Sequence, residues 1–80
     1  MIKIKGKVKY ASPKGFYAIE VHPGEYVIIE TLGDELAGDD VISWNDYEEF
    51  YNHTQDCKIS AMVQSDVIGL QAVIKNLQTW

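Results

Sequence analysis

Residues 2–10 alternate without a break. Ile2, Ile4, Gly6, Val8 and Tyr10 fall on one side of an extended chain, and Lys3, Lys5, Lys7 and Lys9 on the other. A period of two is the spacing of side chains along a β-strand and does not suit the 3.6-residue period of a helix. The segment predicts a strand with one face against a core and the other in water, carrying four ammonium groups about 6.7 Å apart. The remaining residues must fold around such a strand.

Turn chemistry divides the rest of the chain into short pieces. Residues 11–15 (Ala-Ser-Pro-Lys-Gly) carry the Pro and Gly of a turn, and residues 16–21 (Phe-Tyr-Ala-Ile-Glu-Val) are aromatic and β-branched, as strands are. His22-Pro23-Gly24-Glu25 has the order of a type II turn, in which Pro presets φ and Gly supplies a positive φ. Residues 26–29 (Tyr-Val-Ile-Ile) are continuously apolar, the pattern of a central strand covered on both faces. Further strands are expected over residues 41–44, over part of 47–52, and over 57–64, where Ile59, Ala61 and Val63 alternate with Lys58, Ser60, Met62 and Gln64. In the last segment, residues 66–78, Val67, Leu70, Val73, Ile74 and Leu77 share a helical stripe, with Ser65 or Asp66 available as a cap. Its β-branched content also suits a strand.

Eighty residues support one core, so residues 1–80 form a single domain. Five or six short strands punctuated by turns predict a mainly β fold, a small antiparallel barrel of the OB-like or SH3-like kind, closed by a short C-terminal helix. A hydrophobic fraction of 46% and a charged fraction of 24% are those of an ordinary globular chain, with no run long enough to enter a membrane. The first residues lack a secretory pattern and Cys57 is the only cysteine, so no internal disulfide is possible and a cytoplasmic location is expected.

The net charge of −5 is unevenly distributed. Lys3, Lys5, Lys7, Lys9 and Lys14 make the first nineteen residues purely basic, whereas residues 20–56 carry eleven acids and no base. Arginine, the residue best suited to bidentate phosphate and base recognition, is absent.

Gly6-Lys-Val-Lys-Tyr10, then Lys14-Gly-Phe16, then residues 26–29 resemble the first three strands of a cold-shock domain, a five-stranded barrel of the oligonucleotide-binding fold. Residues 36–41 resemble that family's approach to its fourth strand, so the likeness covers about half the chain. The resemblance implies binding of single-stranded RNA or DNA, with Lys14 and Phe16 in the first ribonucleoprotein motif and Tyr10 in place of a stacking Trp. The family's other stacking positions fall at Ala18, Val27, Ile29 and Glu30, which are not aromatic. Stacking on exposed aromatics is worth about 1–3 kcal/mol per base, so these departures remove much of the implied affinity.

The other chemistry-bearing residues do not form a recognisable reaction centre. Three candidate ligands, His22, His53 and Cys57, fall short of the four a structural zinc site wants. Asp39-Asp40 and Glu48-Glu49 read as hydrated turn or surface charge, and no serine lies in a nucleophile-elbow context. Asn52-His53-Thr54 reads as a turn closing the preceding strand. We therefore expect no enzyme, no cofactor and no metal. The expected function is that of a binding module contacting single-stranded nucleic acid through Lys3, Lys5, Lys7, Lys9, Tyr10, Lys14 and Phe16. The alternative is a module for a protein partner or homo-oligomer that uses a strand edge and the acidic segment of residues 20–56, and the bland reading of the lysine row is a solvated face or the guard of a strand edge.

Overall fold

The computed structural model describes residues 3–79. Strands β1 (Lys3–Ala11), β2 (Phe16–His22) and β3 (Glu25–Thr31) form an antiparallel meander. β4 (Val41–Asn45) returns to pair with the first half of β1, and β5 (Phe50–Asn52) and β6 (Cys57–Ile59) continue the sheet outward from β4. β7 (Ala61–Val63) pairs with the far edge of β3. The two ends of the sheet, β6 and β7, are separated by Ser60 alone. Residues 57–63 therefore bridge β5 and β3 and nearly close an antiparallel barrel. At the switch between partners the Ser60 carbonyl accepts from the Leu32 N–H (2.9 Å), and the Ser60 N–H donates to Asp34 Oδ2 (2.9 Å).

The barrel interior is filled from alternate positions, as a period of two requires. Val8, Tyr17, Ile19, Val27, Ile29, Ile42, Trp44, Phe50 and Ile59 form one buried cluster, with Trp44 stacked on Phe50 at a centroid distance of 5.3 Å. The expected hairpin is present: His22 pairs with Glu25, and Gly24 has φ 78°, as a type II turn requires.

A second, smaller core lies outside the barrel wall. Ala18, Tyr26 and Ile28 point outward from β2 and β3 and pack against Val73 of helix α1 (Leu70–Thr79), with Phe16 and Ile68 at its margin. This is why residues 26–29 are apolar on both faces. The helix starts later than the stripe predicts, because the two-residue strand β8 (Ile68–Gly69) first pairs with Glu25 and Tyr26 of β3. Ser65 and Asp66 do not cap it. The Ser65 hydroxyl instead accepts from the Ile28 N–H (3.0 Å), tying the segment to β3. Of the stripe, Val73 is fully buried, whereas Val67, Leu70 and Ile74 remain exposed. Ile2 and the Leu77 side chain lie outside the described residues. No helix among the described residues is long and apolar enough to cross a membrane.

Candidate nucleic-acid interface

The alternation of residues 2–10 holds only as far as Val8. Val8 pairs with Ile19 and faces inward, but the next pairing is Tyr10 with Ala18, so Lys9 is an extra residue in a β-bulge. The bulge puts Tyr10 on the outer wall, where its ring meets Tyr26 edge-to-face at 5.9 Å. Tyr10 is thus not a core partner of Val8 but 38% exposed, while Tyr26, beneath α1, is 5% exposed. Burial, and then the hydrogen bond from its hydroxyl to Glu20 Oε2 (3.2 Å), push the Tyr26 phenol above its ordinary pKa.

The residues proposed from sequence separate into three places. Lys3, Lys5 and Lys7 stand together, exposed on the outer face of β1, and none forms an ion pair among the described residues. Lys9 has a partner: its ammonium lies 3.0 Å from Asp39 Oδ1, which holds its pKa above the ordinary value, and Glu20 acts in the same direction. Tyr10 and Phe16 lie on the β2 side of β1, along the wall that α1 covers. Lys14 sits in the β1–β2 turn at the far end of the barrel, on a shallow depression shared with Asp34 and Glu35. Val27 and Ile29, which align with stacking positions, point into the barrel.

The other neighbour of β1 contributes residues that the sequence does not place beside the lysine row. Lys5 pairs with Ser43 on β4, Ser43 with Tyr51 on β5, and Tyr51 with Lys58 on β6, so these four form one cross-strand row. Their inward-facing neighbours are Trp44, Phe50 and Ile59, which places the row on the outer wall. Ser43 Oγ and His53 Nε2 share a hydrogen bond of 2.7 Å, and the His53 ring meets Tyr51 at 4.9 Å and 67°. The Tyr51 hydroxyl donates to Asp56, which raises the phenol's pKa. A serine hydrogen-bonded to an imidazole invites comparison with a hydrolytic pair. Here Ser43 is buried and no carboxylate among the described residues bonds to His53, so the pair lacks the third member of a triad. Only the strand pairing brings these residues together, and no local sequence pattern signals it.

Asp40 departs from the hydrated turn acid expected. It is buried, and its Oδ2 accepts from the Asn52 side chain (2.9 Å), the Ala37 N–H (3.0 Å) and the Gln55 side chain (2.7 Å). Burial alone would raise its pKa, but these bonds more than offset it and hold the carboxyl below its ordinary value. Asn52 also closes its own turn, as the sequence suggested, by accepting from the Thr54 and Gln55 N–H groups. This cluster is a brace between the loop before β4 and the turn after β5. Among the described residues, no three His, Cys, Asp or Glu side chains converge as metal ligands, and Cys57 is an exposed thiol.

No family model, curated protein or solved structure matches this chain.

Proposed function

We propose that this domain is a non-enzymatic binding module, an OB-like barrel that holds single-stranded RNA or DNA weakly through the outer face of β1. The observation that carries the reading is the group of three exposed lysines, Lys3, Lys5 and Lys7, on one face of one strand and without an ion pair among the described residues. A regular row of cations on a rigid strand can track a phosphate backbone. Lys9 is neutralised locally by Asp39 and adds little. The cold-shock resemblance supports the same partner, and a single exposed thiol suits a reducing, cytoplasmic setting.

The test is a titration of a labelled pyrimidine-rich oligonucleotide, followed by anisotropy over a range of salt. Three phosphate contacts give a slope of log affinity against log salt near −0.7 × 3, or about −2, and four would give about −3. Binding should be measurable at low salt and largely lost near 0.15 M, where the Debye length falls to about 8 Å. No response up to near-millimolar protein at low salt retires the reading.

A second reading is self-association or binding of a protein partner, favoured by the exposed apolar side chains Val67, Leu70 and Ile74 around α1. Concentration-dependent sedimentation that is abolished by Ile74→Ser would support it.

A further inference from the structure

We infer that a bound single strand crosses the barrel from β1 over β4, β5 and β6, with Tyr51 and His53 as stacking groups and Lys5, Lys7 and Lys58 as phosphate contacts. This is not the β2–β3 wall that the cold-shock resemblance implies, and the inference rests on the nucleic-acid reading of β1 above. The row Lys5, Ser43, Tyr51 and Lys58 is set by direct strand pairing, so its members are adjacent neighbours on one surface. Strands lie about 4.8 Å apart, which places Lys5 and Lys58 about 14 Å apart with the aromatic groups between them. That is a cation at each end of a short stacking platform.

Both rings are held in place before any ligand arrives. Tyr51 is anchored through its hydroxyl to Asp56, and His53 through Nε2 to Ser43. Groups whose orientation is already fixed lose less entropy on binding. The β2–β3 wall offers fewer accessible rings. Of its three rings, Tyr26 is buried and Phe16 half-buried in the outer core that Val73 of α1 completes, which leaves Tyr10 as the exposed one. Acids flank both walls and each accepts a hydrogen bond, Glu20 from Tyr26 (3.2 Å), Glu30 from Gln64 (3.0 Å), Asp56 from Tyr51 and Glu49 from the Asn45 side-chain amide (2.7 Å), so the rings and not the carboxylates separate the two paths. Glu48 and Glu49 line the same groove as Tyr51 and Lys58, so the cationic path ends at Lys58.

The experiment titrates the full-length protein with a labelled oligothymidylate at low salt and compares four variants, each checked by circular dichroism. Tyr51→Ala should weaken binding roughly 5- to 100-fold, the effect of losing one stacked base. Lys58→Gln, at an exposed position where folding is not at stake, should reduce the salt slope by about 0.7. Tyr10→Ala and Phe16→Ala should leave affinity within about twofold. Should Lys58→Gln keep the wild-type slope while Tyr10→Ala or Phe16→Ala weakens binding, the strand runs over β2 and β3, and only the path is overturned. Absence of wild-type binding would overturn the nucleic-acid reading and the path together.

Discussion

Gly6 on β1 lies so close to Glu20 on β2 that a Cβ at position 6 would stand 2.4 Å from the Glu20 carbonyl oxygen and 2.7 Å from Ile19 Cγ2. The backbone of the basic strand can sit this near β2 only because the position has no side chain. Gly6→Ala must push the strands apart or distort them, and we expect a loss of about 1–3 kcal/mol, the usual range for overpacking a core. A urea midpoint unchanged from wild type would show that β1 can shift without cost.

Gly24 is required for a different reason. A Cβ there meets nothing within 4 Å, but φ is 78°. Gly24→Ala should therefore cost about 1–2 kcal/mol through backbone conformation alone. Gly24→Asn should recover part of that, since Asn tolerates the left-handed region. Equal stability of the Ala and Gly forms in chemical denaturation would contradict the assigned turn.

The Asp40 brace predicts a pH dependence of known sign. Its folded pKa is depressed, so its contribution is present in full above the ordinary carboxylate value of 3.8 and is lost as pH falls through the folded value. Wild type should lose stability across that acid range, and Asp40→Asn should show less of this decline. Asp40→Ala strands the buried Asn52 amide and should cost about 1–3 kcal/mol at neutral pH. Denaturation midpoints measured at several pH values separate these outcomes.

Among the described side chains of helix α1, Val73 alone is fully buried and should contribute most to seating it. Val73→Ala removes two fully buried carbons and should destabilise by about 2 kcal/mol, including the cavity left behind. Ile74→Ala, one residue on but 45% exposed, should fall within about 0.5 kcal/mol of wild type. Equal effects of the two variants would mean that the helix is seated differently.

Strands β1 to β5 were legible because each carries its own local signal. Residues 57–64, expected as one strand, instead divide at Ser60 into β6 and β7 with different partners, and β8 carries no signal of its own. Turn residues mark the ends of β1 to β3, and the double-faced apolar run of residues 26–29 anticipates a covering element on the outer wall. The bulge at Lys9 was not visible in the alternation, which continues through it. One conflict did point to it: strict alternation buries Tyr10 beside Val8, whereas the cold-shock likeness requires an exposed ring there. Asp40 was misjudged because its burial depends on Asn52 and Gln55, twelve and fifteen residues away. The row from Lys5 to Lys58 was invisible for the same reason, since it exists only in the register of β1, β4, β5 and β6. The start of α1 was missed because pairing with β3 claims Ile68 and Gly69 before a helix can begin.

The bridging of β5 and β3 by residues 57–63 has a consequence for the order of events during synthesis. The meander of β1 to β3 can assemble as soon as it emerges, but β4 must travel back across the loop that follows β3 to reach β1. Pairing between distant segments is slow. Until residues 57–63 have left the ribosome, the outer edges of β3 and β5 are bare, and bare edges accept strands from other molecules. The segment that completes the ring is thus also the one that shields it. A proline at Met62, opposite Glu30, would leave an open sheet with two adhesive borders.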